Sequence, residues 1–180
     1  MVNIKITKRE VFKLNKNLRM HEVINDIADI IVGDIKNGIS TLSADINDLP
    51  FAPLRPSTIA SKQESGAIHP SKPLFDKGKM KEVYVKKRAT KGKPEAIIAP
   101  NNRDRGKVNA VHNEGVGGYT IVPRKAKMLR FFTGSGCVYS KKVNHPGQKQ
   151  REWFGLSPRL NKPVEVALNR HIKKALSKRG

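Results

Sequence analysis

The clearest element in the sequence is an amphipathic helix near the amino end. Between Asn17 and Ile35, apolar residues recur every three or four positions, which is the spacing of one face of an α-helix. The apolar face consists of Met20, Val23, Ile24, Ile27, Ile30, Ile31 and Ile35. Acidic side chains lie mostly on the opposite face and should face solvent, and Gly38 is expected to end the helix. The pattern predicts a long helix with one buried face.

A second amphipathic helix is predicted at the carboxyl end. Its apolar stripe consists of Val164, Leu168, Ile172 and Leu176. Its other face is basic and carries Arg170, Lys173, Lys174, Lys178 and Arg179. Ser157 and Pro158 form a helix-start pair, but Pro163 is expected to open the main helix because proline is favoured in the first turn.

Short strands are predicted where apolar and polar residues alternate or where β-branched and aromatic residues cluster. Residues 2–7 fit either a strand or an extended arm. Residues 83–89 and 96–99 flank a basic turn and predict a β-hairpin. Further strands are expected over 119–122, 128–132 and 138–142, with a glycine-rich turn at 133–136 joining the last two.

The remaining segments predict short helices and connections. Three prolines between Asp48 and Ser57 require an extended chain there. Ser57 or Thr58 is expected to cap a helix that ends before Gly66. Residues 107–114 fit a helix of one or two turns that ends at Gly115. The predicted fold is α+β: a small mixed or mainly antiparallel sheet packed with an N-terminal and a C-terminal helix, with extended hairpins.

Length and composition favour one domain over residues 1–180, with residues 1–16 as an N-terminal arm. Only 37% of residues are hydrophobic, so the fold should be thin, extended or completed by partners. No apolar run is long enough for a membrane span or a signal peptide, and folding is expected in the cytoplasm. The lone Cys137 is interpreted as a small buried apolar residue or an inert thiol.

The formal net charge of +21 is distributed unevenly along the chain. Residues 1–20 carry a net charge of +5, residues 21–53 carry −5, and the rest of the chain is strongly basic. One interpretation is that the acidic helix of one copy meets a basic surface of the next. A second is that the basic surfaces bind a polyanion, and a third is that the charges only keep the protein soluble.

No catalytic constellation in the sequence meets its own chemical requirements. His112 and Glu114 have the His-x-Glu spacing of zinc deaminases, but the Pro-Cys-x-x-Cys half is absent. Gly78-Lys79 and Gly106-Lys107 lack the Ser or Thr that follows the lysine in a nucleotide-binding P-loop. The sequence therefore predicts a protein without catalytic residues, cofactor or metal.

Four segments occur in a recognisable order. They are Phe51-Ala-Pro-Leu54-Arg-Pro-Ser-Thr58, Lys72-Pro-Leu74-Phe-Asp76-Lys-Gly78-Lys-Met80, Val108-Asn-Ala-Val111-His112-Asn-Glu-Gly115 and His145-Pro-Gly-Gln-Lys-Gln-Arg151-Glu-Trp153-Phe154-Gly-Leu-Ser157. In this order they resemble the phage virion morphogenesis family, the tail-completion and neck proteins of tailed phages. Phe51 stands where that family usually has Trp, and Trp153-Phe154 replaces Phe-Leu.

The resemblance implies a structural virion protein rather than an enzyme. It implies a tail-completion or head–tail joining protein that forms a homo-oligomeric ring with other neck and tail proteins. Such a protein is assembled in the host cytoplasm, resides in the virion and can contact packaged DNA in the lumen, with no role at a membrane. Residues 119–144 exceed the compact relatives and are expected to form an inserted hairpin that touches a neighbouring protein. The alternative class is a basic nucleic-acid-binding protein of ribosomal or nucleoid type, and a basic nuclease ranks third.

The candidate residues fall into two groups. The motif positions expected in the core or at turns are Leu54, Thr58, Leu74, Phe75, Gly78, Val111, His112, Gly115, Trp153, Phe154 and Leu156. The expected interface residues are the acidic face of the first helix (Glu22, Asp26, Asp29 and Asp34), the basic tip of the first hairpin (Lys86, Lys87, Arg88, Lys91 and Lys93) and Arg151. Gly78 and Gly115 are expected at positive φ or at a helix end, and Arg151 either at an interface or in solvent.

Overall fold

A computed structural model describes residues 4–6, 18–75, 77–101, 106–133 and 136–177 of the chain. Its helices are α1 (Met20–Asn37), α2 (Pro56–Glu64), α3 (Gly106–Glu114) and α4 (Asn161–Ser177). Its strands are β1 (Ile4–Ile6), β2 (Val83–Lys87), β3 (Ala96–Pro100), β4 (Tyr119–Ile121), β5 (Leu129–Thr133), β6 (Gly136–Ser140) and β7 (Val143–His145). Most of the predicted N-terminal arm lies outside the described residues, as do Asp76, Gly134, Ser135, Lys178 and Arg179.

Helix α1 is the centre of the core because it packs against β2 and β3 as well as against α4. Its buried residues are Val23, Ile24, Ile27, Ala28, Ile31, Val32 and Ile35. This apolar surface is wide because two layers cover it, whereas the edge residues Met20 and Ile30 are only partly buried. The long helix predicted from the apolar spacing is confirmed, and Val164 and Leu168 of α4 pack against the same core.

The main sheet has the strand order β1-β3-β2, and both pairs are antiparallel. Ile98 of the central strand pairs with Ile4 on one side and Val85 on the other. A register shift between Val85 and Lys87 leaves one extra residue on β2, which is a β-bulge. The predicted first hairpin is therefore confirmed, and β1 lies within the segment predicted as a strand or an arm.

Helix α1 ends at Asn37 with Gly38 as its C-cap, so the expected stop is confirmed, although Gly38 does not have the left-handed conformation that is common for a glycine at a helix end. Gly38 is buried in right-handed helical geometry, and the chain continues into a π-helical turn, Gly38–Leu42, that ends at Ser43 with a φ of 53°. A Cβ on Gly38 would lie 3.2 Å from the Ala44 carbonyl oxygen and 3.3 Å from Nη2 of Arg159. Glycine at this position allows close packing against Ala44 and Arg159 and does not form a left-handed turn.

The starts of two other helices also differ from the predictions. Helix α2 begins at Pro56 with Arg55 in the N-cap position, so neither Ser57 nor Thr58 is the cap. Proline fits the first helical position because the amide it lacks would have no partner there. Ser157 caps a 3₁₀ turn, Pro158–Leu160, that leads directly into α4, so α4 begins before Pro163.

Residues 119–145 form two consecutive antiparallel ladders, and we call this segment the hairpin arm. One ladder pairs β4 with β7, the first and last strands of the segment. The other pairs β5 with β6, which lie between them in sequence. The strand predicted over 138–142 corresponds to β6, which ends at Ser140, and β7 begins only at Val143 and was not predicted. Together with α1, α4 and the antiparallel sheet, these ladders confirm the predicted α+β class. Within the described ranges, none of the helices is long and apolar enough to cross a membrane.

Candidate functional site

Three of the four segments that carry the family resemblance meet around one cleft. Its volume is about 410 Å³, and its walls come from residues 53–58, 112–116 and 145–151. Residues 53–58 form the approach to α2 and its first turn, and residues 112–116 form the end of α3 and the following turn. The segment 72–80 does not contribute to the wall. The cleft therefore joins stretches of chain that are far apart in sequence.

Arg151 is the most buried charged residue of the cleft. It is 7% exposed, and its Nε and Nη2 atoms both donate to the carbonyl oxygen of Ala52, at 3.3 and 3.1 Å. Burial lowers the pKa of Arg151 because it disfavours the charged guanidinium. The alternative that Arg151 lies in solvent is wrong.

The residues that follow Arg151 attach this segment to α3. The Trp153 indole donates to the Asn109 carbonyl oxygen at 3.4 Å, and the Phe154 amide donates to Oδ1 of Asn113 at 3.0 Å. The two aromatic rings meet edge to face with their centroids 5.5 Å apart. Trp153 and Phe154 are buried as predicted, whereas Leu156 is 59% exposed, so its assignment to the core is wrong. The chain bends at Phe154 and Gly155, and Leu156 lies outside the core.

His112 forms part of the wall between α3 and the base of the hairpin arm. Its Nδ1 atom lies 3.2 Å from Nε2 of Gln148, and its carbonyl oxygen accepts from the Arg151 amide at 2.8 Å. Burial, followed by the nearby charge of Arg151, lowers the pKa of His112. The imidazole is therefore neutral at pH 7 and supplies hydrogen-bonding capacity rather than charge.

The other motif positions have mainly structural roles. Gly78 and Gly115 have φ angles of 73° and 75°, as predicted. Leu54 and Val111 are half-buried, Thr58 is exposed, and Leu74 and Phe75 pack on the edge of the core. Lys62 holds the loop after α2, because its ammonium donates to the carbonyl oxygens of Lys72 and Phe75, both at 2.7 Å.

The acidic face of α1 is paired within the chain. Asp29 accepts two hydrogen bonds from Arg88, at 2.8 and 3.0 Å, and Asp26 lies 2.7 Å from both Arg170 and His171. Glu22 pairs with Arg19 at 2.8 Å. Asp34 pairs with Arg159 at 3.0 Å and its side chain is 13% exposed, so the prediction that it faces solvent is wrong.

The basic tip contains both paired and unpaired cations. Lys93 lies 2.9 Å from Glu95, Lys87 lies 4.0 Å from the same carboxylate, and Arg88 pairs with Asp29. Lys86 and Lys91 are exposed, with no carboxylate within 4.0 Å in the part of the chain that the structure describes. The cations of the tip that remain open to an anionic partner are therefore Lys86 and Lys91.

Five large apolar side chains of the hairpin arm are exposed. None of the described side chains between 116 and 145 is buried. The exposed fractions are 48% for Tyr119, 57% for Val122, 44% for Met128, 37% for Val138 and 61% for Tyr139. Cys137 is also exposed on β6, so its interpretation as a buried residue is wrong. A two-stranded ladder is marginally stable alone in water, so this surface is suited to a partner.

Sequence reasoning missed the cleft and its basic rim. Arg55 and Lys149 line the cleft, but no local pattern distinguishes them from the many other cations of the chain. A search of the described residues finds no group of His, Cys, Asp or Glu side chains that could hold a metal ion. Comparison of the chain with family models, with curated proteins and with solved structures gave no match.

Proposed function

We propose that this protein is a structural component of a tailed-phage virion. It completes the tail or joins head and tail in the neck, where its copies form a ring with other neck and tail proteins. It performs no enzymatic step and is assembled in the host cytoplasm before it becomes part of the virion. Support comes first from the four segments, which occur in the family's order across roughly residues 45–160.

The observation that carries the proposal is the uncovered hairpin arm. The apolar side chains of Tyr119, Val122, Met128 and Tyr139 are exposed on two short ladders with few contacts to the rest of the fold. Exposed strand edges and grouped apolar side chains are typical of surfaces that pair with another protein. An arm of this kind is suited to reach a neighbouring subunit of a ring.

The charge of the arm indicates the kind of surface it meets. From Gly115 to Arg151 the sequence contains eight Lys and Arg residues and no Asp or Glu. A surface this basic is repelled by a copy of itself and attracted by an acidic neighbour. Support for assembly with other virion proteins is therefore stronger than support for assembly of this chain alone.

The proposal is tested by measuring mass before and after mixing with isolated phage tails. We expect weakly associated monomers alone, because only 37% of the residues are hydrophobic and stable obligate interfaces are rich in apolar surface. On the tails we expect a ring of defined mass. A stable ring in the absence of tails, or no binding to tails or heads, would contradict the proposal.

A matched pair of variants links that assembly to the arm. Tyr139 on β6 and Tyr84 on β2 are exposed by 61% and 46%. Tyr139→Ser should lower binding to tails while leaving the melting temperature unchanged, and Tyr84→Ser should leave both unchanged. Equal binding by the two variants would remove the arm from the interface.

Nucleic-acid binding remains the second candidate, because the basic arm also carries the exposed Tyr139 and is suited to a polyanion. A fluorescently labelled DNA duplex distinguishes the two. Phosphate-backbone binding should weaken steeply between 50 and 200 mM salt, by about a thousandfold for six contacts. Tight, salt-dependent DNA binding with no affinity for tails would favour the second candidate.

A further inference from the structure

Arg151 is a buried cation without a carboxylate partner in the described part of the chain. Its guanidinium has five N–H donors, yet the acceptor it reaches is one neutral carbonyl oxygen, that of Ala52. No carboxylate lies within 4.0 Å of it in the described ranges. Buried charges in proteins are normally paired, and the lowered pKa of Arg151 agrees with an uncompensated charge.

Other arginines of the chain have such partners. Arg88 pairs with Asp29, Arg159 with Asp34 and Asp48, and Arg170 with Asp26. For Arg159 burial is the largest single influence and acts to lower the pKa, but the hydrogen bonds and charges of Asp34 and Asp48 together raise it overall. Arg151 is more buried than Arg159 but lacks that compensation.

The cleft adds further positive charge around Arg151. Arg55 and Lys149 lie on its rim, are exposed and have no carboxylate within 4.0 Å among the described residues. No Asp or Glu is among the residues that line the cleft. Three cations thus converge on one concave site, which is the electrostatic requirement for binding an anion.

The rest of the wall restricts the shape of the ligand. Pro53, Leu54, Val116 and Pro146 provide apolar contact beside the cations. A volume of about 410 Å³ accommodates a few side chains but no nucleic-acid duplex. The Arg151 guanidinium is recessed, so a carboxylate on a protruding side chain reaches it more readily than the continuous phosphate backbone of a duplex. The apolar walls can contact the residues that flank such a carboxylate in a peptide.

The acidic face of α1 on a second copy is poorly available for this role. Asp26, Asp29 and Asp34 are already bound to cations of their own chain. An occupant from a different protein avoids breaking those pairs. The strong positive charge of the chain also favours an acidic partner.

We propose that the cleft binds a short peptide segment of another protein, with a Glu or Asp carboxylate on Arg151 and Arg55 or Lys149, and with apolar neighbours against Leu54, Val116 and Pro146. In a virion the segment would belong to an adjacent neck or tail protein, and only this last point rests on the proposed function. Peptide binding itself is a property of the isolated chain.

The binding test uses the full chain and the blocked peptide acetyl-Val-Glu-Val-Glu-Val-amide, with the glutamine version as its uncharged counterpart. Trp153 is the single tryptophan of the sequence and lies two residues from Arg151, so its fluorescence reports occupancy, and calorimetry supplies an independent measurement. We expect saturable binding of the glutamate peptide at about 1 mM or tighter and at least about tenfold weaker binding of the glutamine peptide.

The variants are made at the exposed cations of the rim, because replacement of the buried Arg151 could cause misfolding. Arg55→Ser with Lys149→Ser should weaken glutamate-peptide binding about tenfold. Arg124→Ser with Lys125→Ser removes the same charge from exposed residues outside the cleft and should have little effect. Near-ultraviolet circular dichroism should be unchanged in both.

Several results would overturn the proposal. One is that binding of the glutamate peptide does not saturate at 10-fold the expected dissociation constant. Others are equal affinity for the glutamate and glutamine peptides, or an equal loss of peptide affinity in the two double variants. DNA binding that is lost in the rim variant without any peptide binding would assign the cleft to nucleic acid. Self-association abolished by the rim variant would assign it to a second copy. Peptide binding without assembly on tails would leave the cleft intact and refute the proposed function alone.

Discussion

Arg159 and Asp34 form an ion pair that connects the turn before α4 to helix α1. Nε of Arg159 lies 3.0 Å from Oδ1 of Asp34, and the two side chains are 18% and 13% exposed. The same guanidinium contacts Asp48 at 2.7 Å and the Asp45 carbonyl oxygen at 3.0 Å. One side chain therefore holds α1, the following loop and the start of α4 together.

Removal of the Arg159 guanidinium should be strongly destabilising. Arg159→Met leaves the Asp34 carboxylate in a mostly buried place without its partner, and we expect a loss of about 3 kcal/mol in the free energy of unfolding in urea. Arg159→Lys keeps the charge but not the fork of donors and should lose less. Adding Asp34→Asn to Arg159→Met should recover part of the loss. A loss below about 1 kcal/mol for Arg159→Met would show that the pair is not structural.

Charge reversal on the acidic face tests whether its role is within or between chains. If the acidic face only met a neighbouring copy, Asp26→Lys with Asp29→Lys would spare folding and abolish incorporation into particles. Because Asp26 faces Arg170 and Asp29 faces Arg88, reversal should also lower the free energy of unfolding, by about 1 kcal/mol or less for each of these exposed pairs.

The exchange Asp29→Arg with Arg88→Asp separates the two roles. It restores the pair within the chain while it reverses both surface charges. Restored stability together with restored binding to tails would assign Asp29 to folding alone. Restored stability without binding would assign it to an intermolecular contact.

The role of the basic tip can be tested with only two of its five cations. Lys86→Ser with Lys91→Ser removes the two cations that lack carboxylate partners in the described ranges, so folding should be unaffected. If the tip meets DNA or an acidic protein, binding to filled heads or tails should fall at physiological salt. Unchanged binding by a variant with a normal melting temperature would remove the tip from the interface.

Local patterns in the sequence predict local structure well. The apolar spacing of α1 is a property of one segment, and the long helix is found where that spacing predicts it. Positive φ is found at Gly115, directly after the end of α3, and at Gly78, directly before a 3₁₀ turn over Lys79–Lys81. Arg159 differs because its carboxylate partners lie 125 and 111 residues away in sequence, and no spacing rule connects such positions.

The cleft could not be predicted because its walls come from segments that are far apart in sequence. The family resemblance identifies three of its segments, but nothing in the sequence shows that they converge. Leu156 shows the complementary error, since it was assigned to the core together with Trp153 and Phe154. The chain bends at Gly155 and Leu156 is 59% exposed, and its apolar character alone does not show which way the side chain faces. Sequence reasoning therefore supplied the elements, and their mutual placement required the structure.

Gly147 maintains the base of the hairpin arm beside the cleft. Its φ is 87°, and a Cβ there would overlap the Val116 carbonyl oxygen and lie 2.7 Å from the carbonyl carbon of Gly117. Gly147→Ala should therefore destabilise the fold by more than about 1 kcal/mol, because backbone atoms must move. Gly117→Ala is the matched control, since nothing lies within 4 Å of its added Cβ. Equal urea midpoints for the two variants would contradict this account.

His112 should make stability depend on pH below neutrality. Its pKa is lowered in the folded state by burial and then by the charge of Arg151, so the unfolded chain binds a proton first as the pH falls. The contribution of His112 is complete above its ordinary value of about 6.5 and is lost as the pH falls from there toward the lowered folded value. His112→Gln retains a polar partner for Gln148 but cannot titrate. Urea midpoints of the two proteins measured from pH 8 to pH 5 should run parallel above pH 7, and below it the native protein should lose stability faster than the variant. Parallel curves over the whole range would show that the imidazole is not held neutral by its place in the cleft wall.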